Sequence, residues 1–135
     1  MGKGYRLPLR VYYEDTDAGG VVYYANYLKY LERARTEWLR AAGWEQGELA
    51  AREGIVFAVR SLELAYHAPA RLDDRLEAEA VVTATGRARI DFAQRVLRGE
   101  EVLCSARVCV ACLDAASFRP RALPRALKEA LAVED

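Results

Sequence analysis

Between Val11 and Tyr27 the chain reads VYYEDTDAGGVVYYANY. Glu14, Asp15 and Asp17 fall within four residues, Gly19 and Gly20 follow, and tyrosines crowd both flanks. A carboxylate beside a glycine turn has three uses. It can accept backbone N–H groups and fix the turn, join a metal's ligand set, or act as nucleophile or general base. A helix pattern begins a few residues further on. The N–H groups of a helix's first turn have no intrahelical partner and sit at the positive end of its dipole. Such an end can polarise a carbonyl or hold an oxyanion. Asp17 is the acid nearest the glycines. It could attack a carbonyl carbon held there, or activate water against it. Spacing alone favours the plainer use of Asp15 or Asp17, as a turn residue.

No other constellation competes. His67 is the one histidine, and a serine–histidine pair would have to draw on Ser61, Ser105 or Ser117, none of which the spacing selects. It reads as a structural or pocket-rim histidine. Nucleophile-elbow and phosphate-loop patterns are absent. Cys109 and Cys112 form a C-x-x-C within EVLCSARVCVACL, but that segment alternates like a strand. Residues three apart on a strand face opposite sides, so Cys104, Cys109 and Cys112 read as small buried hydrophobes. No metal and no dissociable cofactor are expected.

The whole chain bounds what could carry that chemistry. Its 135 residues suit one domain, 1–135, and 53% hydrophobic with 30% charged residues suits a packed core rather than disorder. Twenty basic and twenty acidic residues cancel, which argues against a general nucleic-acid binder. No apolar run approaches the ~20 residues that span a bilayer. The start MGKGYRLPLR lacks the apolar stretch of a signal peptide and the hydroxyl residue of a myristoylation start, and the odd cysteine count suits reduced thiols. A cytoplasmic location is the expectation.

The elements that must position the acids follow from periodicity. YRLPLRVYYED alternates on Leu7, Leu9, Val11 and Tyr13 and predicts a first strand, with Pro8 marking an edge or a strand start. TDAGG predicts a turn. Tyr27, Tyr30, Leu31, Ala34, Trp38, Leu39 and Ala42 recur at helical spacing, with Asn26 a possible N-cap and Gly43 a stop. EQGELAARE predicts a short helical segment closed by Gly54. IVFAVRSLELAYH alternates on Ile55, Phe57 and Val59, then changes phase to Leu62, Leu64 and Tyr66, which predicts a bulge near Arg60 and Ser61. RLEAEAVVTAT, RARIDFAQRVLR and EVLCSARVCVACL predict three more strands, and RALKEALAVE a C-terminal helix. Strands joined by short turns pair antiparallel, so one long helix and one sheet make an α+β domain.

RVYYEDTDAGGVVYYANYLKYLERARTEWLR resembles the opening motif of hotdog-fold acyl-CoA thioesterases of the 4-hydroxybenzoyl-CoA thioesterase type. With YHAPARLDDRLE and RPRALP, the chain is most similar to the bacterial Tol–Pal-associated acyl-CoA thioesterase subfamily. The resemblance implies a hotdog fold, a curved antiparallel sheet of about five strands wrapped around one long helix. It implies hydrolysis of an acyl-CoA thioester, with Asp17 the catalytic carboxylate and the Tyr24 backbone N–H polarising the carbonyl. Relatives often carry histidine where this chain has Tyr24, which removes an imidazole but keeps the N–H. Glu14 and Asp15 receive no chemistry. Arg87 and Arg89, with Arg60 a weaker third, are the candidates for the CoA phosphates, and each could equally be a solvated strand residue. Glu32 and Arg35 are expected to form a structural ion pair or an interface contact. The site is expected between subunits of a dimer or dimer of dimers. Rival readings are a hydroxyacyl dehydratase, which lacks its histidine near the acidic loop, and a scaffold that binds acyl carrier protein or phospholipid-synthesis enzymes.

Overall fold

The computed structural model describes residues 4–131. In chain order it runs β1 (Gly4–Arg10), a short 3-10 turn (Tyr13–Asp15), α1 (Asn26–Ala41) and α2 (Gln46–Glu48), which continues into a π-turn at Leu49–Glu53. Then follow β2 (Ile55–Tyr66), β3 (Arg75–Thr85), β4 (Arg89–Arg98), β5 (Glu101–Asp114) and α3 (Arg125–Ala130). The strands form one antiparallel five-stranded sheet in the order β1-β3-β4-β5-β2. α1 lies across β1, β3 and β4. This is the α+β hotdog architecture expected from the sequence.

Alternation explains the sheet's two faces. Leu76, Ala78, Ala80 and Val82 of β3, Ile90, Phe92 and Val96 of β4, and Val108, Val110 and Cys112 of β5 are buried against the helix side. α1 presents Tyr27, Tyr30, Leu31, Ala34, Trp38 and Leu39 to them. Burying each large aliphatic or aromatic side chain contributes ~1.5–3 kcal/mol, so the sheet and the helix face stabilise each other. Pro8, which has no N–H to give, sits in edge strand β1 opposite Glu77. Gly43 ends α1 with φ +92°, as its position predicts.

Several expectations change in detail. β1 ends at Arg10 rather than running on to Asp15, because Val11 bonds to the next loop: its N–H donates to Asp74 O (3.0 Å) and its carbonyl accepts from Asp73 (3.1 Å). Tyr13, expected inward with Val11, is therefore 82% exposed. Asn26 is the first helical residue, after Ala25, and Ala42 lies past the helix end and is exposed. Arg35 does not pair with Glu32. Its Nη1 donates to Oε1 of Gln94 (2.9 Å), and Gln94, 1% exposed, donates through Nε2 to Leu31 O (3.0 Å). A guanidinium under the helix finds the buried amide nearer than the exposed acid. Cys104 and Cys112 are buried, but Cys109 faces the other side and is only half-buried. The C-terminal helix spans Arg125–Ala130, Leu131 follows it as a buried turn residue, and the rest of the predicted segment lies outside the described residues.

The β2 bulge falls where the change of phase predicts. The β2–β5 register jumps between Val59 and Ser61 and leaves Arg60 unpaired. Among the described residues no helix is long and apolar enough to cross a membrane.

Candidate active site

The three acids of the opening motif have different surroundings. Glu14 is exposed. Asp15 builds the loop: its Oδ2 accepts the Tyr12 N–H (2.9 Å), and its carbonyl accepts both the Tyr23 N–H (2.9 Å) and Asn26 Nδ2 (2.8 Å). The Tyr30 hydroxyl is buried near this acid without a hydrogen-bond partner among the described residues. Burial pushes its pKa well above the ordinary phenol value, and the Asp15 charge pushes the same way.

Asp17 sits at the tip of a small hairpin. Thr16 pairs with Val22, the Asp17 N–H donates to Val21 O (2.9 Å), and the Gly20 N–H returns to Asp17 O (3.0 Å). Gly20 takes φ +79°, a left-handed conformation that an L side chain adopts only under strain. The Gly19 N–H donates to Asp17 Oδ1 (2.8 Å), and a Cβ at position 19 would lie 3.2 Å from that oxygen. The glycine pair therefore closes the turn and leaves room for the carboxylate. The other oxygen of Asp17 accepts no hydrogen bond among the described residues, and the side chain is exposed.

The chain then enters α1. The Val22 N–H donates to Ala70 O (2.8 Å), Val21 bridges Arg71, and the buried Tyr27 hydroxyl accepts the Ala70 N–H (3.0 Å). This backing loop is clamped in turn by Arg98, whose Nη1 reaches Asp74 Oδ2 (2.7 Å) and Pro69 O (3.2 Å). Tyr24, 61% exposed, stands two residues before the helix. Its N–H has no acceptor among the described residues, whereas its carbonyl accepts the Tyr66 hydroxyl (2.8 Å). Asp17 thus lies inside the hairpin, one residue after Thr16, and Tyr24 outside it, two residues after Val22. An exposed carboxylate and an unsatisfied N–H beside a helix start are the two groups that attack on a polarised carbonyl requires.

The three arginines lie apart from this loop. Arg60 is the exposed bulge residue, and Arg89 Nε approaches Asp91 Oδ2 at 3.3 Å. Both act on the Cys109 thiol: burial and Asp91 raise its pKa, while the charges of Arg60 and Arg89 oppose them. Arg87 is exposed, and its carbonyl accepts the Leu123 N–H (2.8 Å). Among the described residues no hydrogen bond or ion pair joins any of the three to the acidic loop. A cleft between α1 and the β2 edge, lined by Arg35, Leu39, Phe57, Val59, Phe92 and Val110, also stops short of it.

Sequence reasoning missed some partners. His67 Nε2 lies 2.8 Å from Ser105 Oγ, a pairing that spacing did not select. No acid joins that pair among the described residues, and it ties β5 to the end of β2. Tyr66 and the Arg98–Asp74 clamp were also missed. The only signal for Tyr66 was its place in the shifted phase of β2. Among the described residues no three His, Cys, Asp or Glu side chains gather as metal ligands.

The pattern of the Thioesterase superfamily matches residues 19–105. The chain belongs to this superfamily. The thioesterase is 48% identical over 124 residues to the acyl-CoA thioester hydrolase YbgC of Escherichia coli O6:H1, covering 91% of this chain and 92% of that protein. It is 45% identical over 130 residues to the acyl-CoA thioesterase YbgC of Haemophilus influenzae, covering 96% of each. Among solved structures, a probable thioesterase from Bartonella henselae superposes with TM-score 0.87 at 37% identity, over 90% of this chain and 100% of that one. A 1,4-dihydroxy-2-naphthoyl-CoA thioesterase from Synechocystis has the same TM-score of 0.87 at 21% identity, over 96% of each chain, and shares the fold.

Proposed function

We propose that this thioesterase hydrolyses an acyl-CoA to a carboxylic acid and free CoA, with Asp17 and the Tyr24 N–H as its reacting groups. The observation that carries the reading is an exposed carboxylate inside the Thr16–Val22 hairpin and an unsatisfied N–H on the segment that leads from that hairpin into α1. The names of the Escherichia coli and Haemophilus influenzae relatives supply the substrate class.

Two routes fit Asp17. In the first, a carboxylate oxygen attacks the thioester carbon, and the Tyr24 N–H holds the oxyanion that forms. The C–S bond breaks, CoA leaves as thiolate, and water opens the acyl-aspartyl anhydride. In the second, Asp17 takes a proton from water as the water oxygen attacks. A thiolate leaves readily, so neither route needs a strong general acid. The routes differ in one measurable species: acid-quenched enzyme carries an acyl mass on the Asp17 peptide only in the first.

Arg60, Arg87 and Arg89 are the groups we assign to the CoA phosphates. Each guanidinium offers a planar donor fork that suits phosphate, and Arg60, the bulge residue, is the weaker third of the set. The assembly is a homodimer, or a dimer of dimers, joined along β2. That edge strand is 12 residues long, with Val59 50% and Leu62 39% exposed, and a long apolar edge is stable in solution when another chain covers it. The acyl-binding side of the site is then completed between subunits.

The test is release of free thiol from a panel of acyl-CoAs by the wild type and Asp17→Asn. Turnover by the wild type with loss in Asp17→Asn is expected. Unchanged release in the variant overturns the mechanism. No release from any acyl-CoA or acyl carrier protein thioester would instead favour a scaffold for acyl carrier protein or phospholipid-synthesis enzymes.

A further inference from the structure

We propose that Tyr66 is a positioning residue for the hydrolysis, aimed at the Tyr24 segment by the bulge at Arg60. It rests on the reading that the Tyr24 N–H polarises the thioester.

The register decides where Tyr66 points. Residues directly paired across two strands share a face of the sheet. Phe57 pairs with Cys112 and Val59 with Val110, both on the core face. Arg60 is then skipped, and Leu62 pairs with Val108, Leu64 with Ala106 and Tyr66 with Cys104, again core-facing partners. With Arg60 paired in regular alternation, Ser61, Glu63 and Ala65 would turn to the core. Tyr66 would turn to the outer face. One extra residue therefore places a phenol on the helix side at the end of an edge strand, as bulges beside functional sites do.

There the ring meets the segment that leads into α1. It lies edge-on to Tyr24 (centroids 6.3 Å, 89° between planes) and against Tyr27 (5.5 Å, 68°). Tyr27 is itself fixed by burial and by the Ala70 N–H. The Tyr66 hydroxyl donates to the Tyr24 carbonyl at 2.8 Å. That carbonyl lies outside the helical ladder: Leu28, four residues on, gives its N–H to Ala25 O (3.2 Å). The phenol thus holds one peptide plane of Tyr24 while the N–H on the other side of the same Cα is left open. A donor helps a developing oxyanion only when its direction is held before the charge appears.

Tyr66→Phe removes the hydroxyl and keeps the ring. The expected result is a fall in kcat of about tenfold, the worth of one hydrogen bond, with KM and the melting temperature unchanged. The NMR order parameter of the Tyr24 amide should fall in the same variant. A wild-type kcat, a change in KM alone, or a kcat loss that tracks a lower melting temperature overturns the proposal. Asp17→Asn is assayed beside it. Its loss of turnover with an unaffected Tyr66→Phe sinks the positioning role alone, whereas turnover retained in Asp17→Asn sinks the mechanism on which that role depends.

Discussion

Asp15 and Asp17 are two residues apart and chemically identical, yet the hairpin gives them opposite work. Asp15 spends its carboxylate on the Tyr12 N–H and its carbonyl on Tyr23 and Asn26. Asp17 gives one oxygen to Gly19 and keeps the other open. Asn is nearly isosteric with Asp, and its amide oxygen can still accept the Gly19 N–H. Asp17→Asn should therefore lower kcat by ~10²–10⁴-fold, the span of general acid–base catalysis, while leaving the denaturant midpoint in place. Steady-state thiol release and urea unfolding of the same preparation check both halves. Nothing in the local spacing distinguishes the two acids, because the difference is made by which backbone groups the folded turn brings to each.

At the scale of elements, two polar devices hold the reactive segment and its helix in place. The first is the clamp behind the hairpin. Burial pushes the Asp74 carboxyl up, but the Arg71 N–H and the Arg98 guanidinium more than offset it, so its pKa lies below the ordinary 3.8. Arg95, hydrogen-bonded to Glu79, likewise holds that carboxyl below 4.5. A depressed carboxylate contributes stability that is fully present above its unfolded value and is lost as pH falls through the folded one. Unfolding monitored against pH should therefore show stability falling below pH 3.8 to 4.5, with a shallower fall in Asp74→Asn. The second device is the Arg35–Gln94–Leu31 pin between α1 and β4. Burial lowers the Arg35 pKa while the Glu32 charge opposes it, so this cation depends on its amide acceptor. Gln94→Leu leaves the guanidinium unsatisfied and should cost about 2–3 kcal/mol by chemical denaturation, more than the added apolar burial returns.

At the scale of the whole molecule, the open edge of β2 is the feature that the rest of the sheet does not resolve. β1, the other edge, is shorter and carries Pro8. β2 offers 12 residues, and Val59 and Leu62 stay exposed on its helix-side face. A lysine there opposes strand addition. Val59→Lys with Leu62→Lys should shift the protein toward monomer in light scattering, and on the proposal that the site is completed across that edge, turnover should fall with it.

The sequence by itself determined what short-range rules decide. Alternation located five strands, helical spacing located α1, Gly43 marked its end, and one change of phase put the bulge at Arg60. Each of these depends on sterics and burial within a few residues of chain, and the family pattern added which acid to watch. The tertiary structure decided what depends on register. It took Val11 out of β1 to bond the loop at Asp74 and so exposed Tyr13, sent Arg35 to Gln94 rather than to Glu32 one turn away, and paired His67 with Ser105. It also brought the Tyr66 hydroxyl to the Tyr24 carbonyl across 42 residues of chain. Contacts of that span exist only after the sheet has chosen its strand order and its bulges, and no local periodicity encodes that choice.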